Sequence, residues 1–239
     1  MALQDDFQSA HKIFKKQLIK KNGDALSCSL HSIFKKINPK GHNCLGCNFA
    51  DSTDLILQYL KRHKQLVNEQ NELTTYFLLL YLFVERVEII LNILQVPEEY
   101  RKKHFQVFTR INRWANFIKH PKAFIFTHHS TFDYEGSGYT YVEEFSLTMD
   151  DTFIDRFYKG RMKPEDQDKN NKELFRQIRN KDQILVLFPN IIHITEKFCF
   201  SVKKFYELIE NNEVYIDILN DESTLTLFFE NESSAGYIK

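Results

Sequence analysis

The chain has 239 residues and a mass of 28.5 kDa. Its composition, 43% hydrophobic and 27% charged, is typical of a globular protein with one large or two small domains and argues against a disordered or fibrous chain. The 32 Lys and Arg residues balance the 32 Asp and Glu residues. Because the net charge is zero, any attraction to nucleic acid or to an anionic membrane must come from a local patch.

Several features of the sequence predict a cytoplasmic protein. The longest apolar run, from Tyr76 to Val84, covers nine residues and is well short of the roughly 20 that cross a bilayer. Asp5 and Asp6 stand where a signal peptide would be basic. Four cysteines are too few for a disulfide scaffold in a chain of this length.

Charge is unevenly distributed along the chain. The segment 1–47 carries eight lysines against three aspartates, a net charge of +5, whereas 205–239 carries eight acids against one lysine, a net charge of −7. The basic end could lie on phosphate groups, and the acidic end should avoid them. Both segments could equally be solvated helix faces, and the sequence leaves the two interpretations open.

The first half of the chain is predicted to be helical. Phe7, Ala10, Phe14 and Leu18 recur at spacings of three and four, and Gly23 provides a stop. Ser52 or Thr53 is a potential N-cap for a later helix, and Pro121 ends the last one. Five helices are predicted: 5–21, 24–36, 52–68, 72–94 as the most buried, and 97–119.

The second half is predicted to contain strands. Aromatic, Thr and Val residues dominate 124–134 and 139–148, which read as a β-hairpin, and a second hairpin is predicted for 214–219 with 224–229. A strand over 184–188 and a helix over 195–210 lie between them. The predicted fold class is therefore α+β, an N-terminal helical bundle with a zinc knuckle followed by a C-terminal module of β-hairpins and a helix. Three units are expected: a basic helical segment with the knuckle (1–50), a helical bundle (51–122) and the α+β module (123–239).

A cluster of cysteine and histidine predicts a metal site. Cys28-x2-His31 and, after twelve intervening residues, Cys44-x2-Cys47 form two close pairs of zinc ligands. With four protein ligands the site would be closed and the zinc structural. His42 competes with His31 as a ligand. Two alternatives stay open: a redox disulfide between Cys44 and Cys47, and cysteines that are merely buried.

A second cluster predicts chemistry on phosphate. Arg113, Asn116 and His120 are spaced by three, four and seven residues, so they share one helical face. A guanidinium stabilises the charge of a pentavalent phosphate, and an imidazole can move the proton of a 2′-hydroxyl or of the leaving oxygen. Phosphodiester cleavage by such a pair needs no metal. The alternative is a solvated Arg113 and a His120 that caps a helix end.

This Arg-x6-His arrangement at the end of a small helical unit resembles the HEPN family (higher eukaryotes and prokaryotes nucleotide-binding), over about residues 51–122. Active members are metal-independent endoribonucleases of toxin–antitoxin, CRISPR and phage-defence systems. The resemblance implies that Arg113 and His120 are catalytic and that two copies face each other in a homodimer. The family most often has a polar residue directly after the arginine, where this chain has Trp114; Asn116 is the candidate to replace it.

The expected function is therefore cleavage of RNA by a HEPN-type endoribonuclease, acting as a toxin or phage-defence effector and accompanied by an antitoxin or defence-system partner. The chain lacks a P-loop, a Rossmann fingerprint, a Gly-x-Ser-x-Gly elbow and a His-Glu-x-x-His motif, which argues against ATPases, dehydrogenases, serine hydrolases and zinc proteases. The alternative is a non-catalytic zinc-binding interaction protein of a bacterial defence or regulatory complex.

Overall fold

The fold is described from a computed structural model. It covers residues 3–34, 44–62, 69–119 and 189–227, together with the backbone of four short segments between 127 and 187.

Seven α-helices and one 3-10 helix account for most of the described chain. Their bounds are α1 Leu3–Leu18, the 3-10 helix Leu26–Ser32, α2 Leu45–Arg62, α3 Glu69–Ile93, α4 Glu98–His104, α5 Gln106–Lys119, α6 Ile191–Glu210 and α7 Glu213–Asn220. Residues 222–227 are helical as well. None of the described helices is both long enough and apolar enough to span a bilayer.

The backbone of four short strands is also described. They are β1 Thr127–His129, β2 Ser146–Asp150, β3 Phe175–Gln177 and β4 Gln183–Leu187. Every pairing is antiparallel and the strand order is β1-β2-β4-β3. Leu147 of β2 lies opposite His129 of β1 on one side and Val186 of β4 on the other.

The predicted α+β class is wrong, because the part of the chain that the structure describes with side chains is mainly helical. No β-strand occurs among the residues whose side chains are described. The predicted hairpin of 214–219 with 224–229 is replaced by α7 and the helical segment 222–227. The Asn212 side chain accepts a hydrogen bond from the Tyr215 amide and so caps α7, and Asp221 accepts one from the Thr224 amide. These two caps outweigh the strand preference of the β-branched residues between them.

Three helix boundaries also differ from the sequence prediction. Ser52 and Thr53 are not N-caps: α2 begins at Leu45, and their hydroxyls donate to the carbonyls one turn earlier, of Asn48 and Phe49. The predicted helix 97–119 is divided into α4 and α5 at the buried Phe105. The predicted helix 24–36 is a shorter 3-10 helix.

One hydrophobic cluster unites the helices, and each of the three predicted units contributes to it. Phe198 of α6 contacts the rings of Phe14, Phe83 and Phe108, which come from α1, α3 and α5. Phe77 precedes Phe83 on α3 by one to two turns, and it contacts Trp114, which follows Phe108 on α5 by one to two turns. Helices α3 and α5 therefore run in opposite directions. This packing buries one side of α5 and leaves the side with Arg113 and Asn116 facing outward.

Candidate metal centre and the outer face of helix α5

The metal-ligating residues lie where the 3-10 helix meets the start of α2. Cys44 immediately precedes α2, and Cys47 occupies its first turn. The Cys47 amide donates a hydrogen bond to the Sγ atom of Cys44 over 3.2 Å. The sulfur of Cys44 thus takes the place of an oxygen N-cap, and both sulfurs lie at the positive end of the helix dipole.

Gly46 permits the two elements to approach closely. A Cβ atom at this position would lie 2.6 Å from the carbonyl oxygen of Ser27 and 2.9 Å from the backbone nitrogen of His31. No side chain fits these distances without separating the elements. The glycine between the two cysteines is therefore required to bring His31 beside them.

Three side chains converge at this contact. The Nδ1 atom of His31 lies 2.9 Å from the Sγ atom of Cys44 and 3.2 Å from that of Cys47. All three ligand atoms lie within 4.8 Å of one another, with Cys44 buried and the other two residues half-buried. His31, Cys44 and Cys47 could therefore hold a metal ion, as the sequence predicts for these residues.

The electrostatics of the cluster fit a cation. Burial, and then the neighbouring Cys44 and Cys28, raise the pKa of Cys47 to about 11. Thiolates are costly here unless a positive charge accompanies them, and a divalent ion supplies that charge directly. Two thiols and one imidazole are donors that bind zinc and other transition-metal ions.

The fourth predicted ligand, Cys28, lies outside the group of three. It is half-buried in the first turn of the 3-10 helix, where burial and then the charge of Asp24 raise the pKa of its thiol. His42, which the sequence offers as a competitor of His31, lies outside the described residues. The structure thus brings together three of the four predicted ligands.

Arg113 and Asn116 lie on the outward side of α5. Arg113 is half-buried and forms no hydrogen bond or ion pair with any residue that the structure describes. Asn116 is exposed, and its amide donates to the Oδ1 atom of Asn112 over 2.9 Å. Trp114, by contrast, is fully buried against Phe77 and Phe117, so it belongs to the core. His120 lies outside the described residues.

Sequence reasoning missed a cationic group that two helices form together. His11 and Lys15 of α1 lie close enough to Lys61 of α2 for burial, and then the charges of both lysines, to lower the pKa of His11. The spacing of His11 and Lys15 is visible in the sequence. Their approach to Lys61, fifty residues away from His11, has no local signal.

In comparisons with known proteins, no family model, no curated protein and no solved structure matches this chain.

Proposed function

We propose that the protein is a HEPN-type endoribonuclease in which Arg113 and His120 cleave RNA. The observation that carries the proposal is the position of the Arg113 side chain and the charges around it. Its guanidinium lies on the outward side of α5 and is not neutralised by any acid among the described residues. An arginine held in an internal ion pair would already have its charge neutralised and would have none available for a phosphate.

The residues have separate roles in the proposed reaction. The Arg113 guanidinium binds the scissile phosphate and stabilises the extra negative charge of the pentavalent transition state. The His120 imidazole moves the proton between the 2′-hydroxyl and the leaving 5′-oxygen, and helical spacing predicts it on the same face as Arg113. Asn116 lies between them in sequence and would orient the phosphate through its amide. Two such faces would meet in a homodimer.

We further propose that the metal is a structural zinc ion. His31, Cys44 and Cys47 would supply three ligands and Cys28 the fourth. Residues three apart in a 3-10 helix lie on the same side, so Cys28 and His31 share the side that faces α2. A rotation of the Cys28 side chain would bring its Sγ atom to the fourth ligand position. Cys28, and not His42, would then complete the site. With four protein ligands the ion holds the 3-10 helix on α2 and does not activate water.

The test of the nuclease proposal is cleavage of a fluorescent single-stranded RNA by the zinc-loaded protein in EDTA-free buffer. Arg113→Ala and His120→Ala are each expected to lower the rate at least about 100-fold, with unchanged circular dichroism and zinc content. Lys119→Ala is the matched control, because Lys119 lies on the same helix but its ammonium sits 3.8 Å above the ring of Tyr81. Cleavage at the wild-type rate by either of the first two variants would contradict the proposal.

A second candidate function is favoured by the metal cluster itself: a non-catalytic zinc-binding interaction protein, with an antitoxin or another defence component as its partner. Closed Cys and His sites are common in small protein-binding modules. A zinc-loaded homodimer that binds a second protein and never cleaves RNA would support this candidate over the nuclease. Both candidates require reduced thiols, in keeping with the predicted cytoplasmic location.

A further inference from the structure

A band of positive charge crosses from α1 to the end of α2. It consists of His11, Lys12, Lys15, Lys16, Lys61 and Arg62, and is called the cationic band below. The five Lys and Arg residues are exposed, and His11 is half-buried. None of the six forms an ion pair with an acid that the structure describes.

The packing of the two helices brings like charges close together, which costs electrostatic free energy. Packing of α1 on α2, marked by the edge-to-face contact of Phe7 with Tyr59, brings Lys61 of α2 within electrostatic range of His11. Partial burial, and then repulsion by the charges of Lys15 and Lys61, lowers the pKa of His11. The acids of α1, Asp5 and Asp6, lie in its first turn, and Asp6 is buried.

Interaction with the helix dipoles does not account for the whole band. Lys15, Lys16, Lys61 and Arg62 lie in the last turns of their helices, where cations are favourable. Lys12 and His11 lie further from the end of α1, so the dipole does not explain these two. The ends of α1 and α2 lie at opposite ends of the helix pair, because Phe7 contacts Tyr59 near the end of α2, whereas Phe14 is linked through Phe198 and Phe83 to Phe49 near its start. A ligand with several negative charges would relieve the repulsion of His11 by Lys15 and Lys61.

We propose that the cationic band binds the phosphate backbone of single-stranded RNA. This inference rests on the proposed nuclease function, for which the band would be the surface that holds the substrate. RNA fits better than a single anion, because α1 and α2 are antiparallel and the charges extend from the last turn of one helix to the last turn of the other, at opposite ends of the pair. Lysines provide contacts to successive phosphates that are independent of base sequence.

The test uses a 12-nucleotide RNA with 2′-O-methyl sugars, which cannot be cleaved by a reaction that needs the 2′-hydroxyl. Binding is measured by fluorescence anisotropy between 50 and 300 mM salt. The Lys15→Gln/Lys61→Gln variant is expected to weaken binding and to reduce the slope of log K against log salt by about 1.4, since each phosphate contact on a single strand contributes about 0.7. Lys102→Gln/Lys103→Gln on α4 removes the same charge elsewhere and should leave the slope unchanged.

A second measurement reports on the site itself. Bound phosphates should raise the pKa of His11, and NMR titration of its imidazole with and without the RNA would detect the rise. Equal slopes for the two double variants, an unmoved His11 pKa, or a preference for anionic phospholipid vesicles over RNA would each overturn the inference. Its failure is distinguishable from that of the nuclease proposal: a band variant that binds normally, with Arg113-dependent cleavage, contradicts only the inference. RNA bound at the band but never cleaved contradicts only the nuclease.

Discussion

The Nδ1 atom of His31 lies 2.9 Å from the Sγ atom of Cys44, although the two are thirteen positions apart in the chain. The contact joins the 3-10 helix to the start of α2, and Cys47 completes it from the first turn of that helix. The candidate metal centre is therefore a junction between two elements, and its loss should affect both metal content and fold stability.

Replacing Cys44 or Cys47 by serine is expected to abolish binding of one zinc ion per chain and to lower the melting temperature. The ion stabilises the folded state alone, so removing it subtracts its binding free energy from that of unfolding. Metal content by mass spectrometry and thermal unfolding by circular dichroism measure the two effects. Cys28→Ser should weaken zinc binding, whereas His42→Ala should not; the reverse result would show that His42 supplies the fourth ligand.

Replacing Gly46 by alanine should weaken metal binding without removing a ligand. The new methyl group would meet the Ser27 carbonyl oxygen at 2.6 Å and force the 3-10 helix away from α2. We expect a loss of about 2–3 kcal/mol in the free energy of unfolding and a lower zinc affinity in competition with a chromogenic chelator.

Gly23→Ala is the matched control for this prediction. Gly23 has a φ of +94°, which strains any other residue, but nothing lies within 4 Å of a Cβ atom there. The free energy of unfolding of this variant should fall by about 1 kcal/mol, and its zinc affinity should equal that of the wild type. Equal affinities for both glycine variants would contradict the role given to Gly46.

Arg101 forms hydrogen bonds to the last turn of α3 and to the residues that follow it. Its replacement by alanine should destabilise the protein by about 2–3 kcal/mol. Its guanidinium donates to the carbonyls of Val96 and Leu91 and to the Oδ1 atom of Asn92. Arg101→Lys should not restore stability, because an ammonium cannot reproduce three divergent hydrogen bonds. Denaturant unfolding measures the change.

The neighbouring Lys102→Ala provides the comparison. Lys102 pairs with Glu98 at 2.7 Å, but both side chains are about three-quarters exposed (70% and 77%). Such a pair contributes at most about 0.5 kcal/mol. If Lys102→Ala lost as much free energy of unfolding as Arg101→Ala, helix α4 itself, and not the hydrogen bonds of Arg101 to α3, would account for the effect.

The helical segment 222–227 should unravel in acid. Hydrogen bonds from Thr224, and then from Ser223, hold the pKa of Asp221 below its ordinary value of 3.8. The stability that this carboxylate contributes is present above pH 3.8 and is lost as the pH falls through the lower pKa of the folded state. NMR chemical shifts of the Ser223 and Thr224 amides should follow this titration. In Asp221→Asn the amide oxygen can still cap the segment but cannot titrate, so the transition should disappear.

Much of the helical fold can be predicted from apolar spacing. The stripe of Phe7, Ala10, Phe14 and Leu18 is the buried side of α1, and the apolar run from Tyr76 to Val84 lies in the most buried part of α3. The C-terminal region could not be assigned in this way. Val214, Ile216 and Ile218 alternate as in a strand, yet Tyr215, Ile218 and Leu219 also have helical spacing, and packing on the core together with the Asn212 cap selects the helix.

The metal ligands likewise include a part that spacing predicts and a part that only packing decides. Cys44 and Cys47, two residues apart, could be recognised as a ligand pair because their spacing alone brings both sulfurs to one side. Which residues of the 3-10 helix join them depends on how closely Gly46 lets that helix approach, and this distance has no sequence signal of its own. The HEPN resemblance stays a prediction, since the described residues include Arg113 and Asn116 but not His120.

By itself the sequence determined the elements whose signals are local: the amphipathic helix α1, the strongly apolar helix α3 and the Cys44–Cys47 pair, each of which is visible in a short stretch of residues. Only the tertiary structure decided the rest: the helical state of 213–227, the contact of His31 with Cys44, and the approach of Lys61 to His11. These depend on burial against distant segments, whose energy exceeds the small differences in local propensity from which a sequence prediction is made.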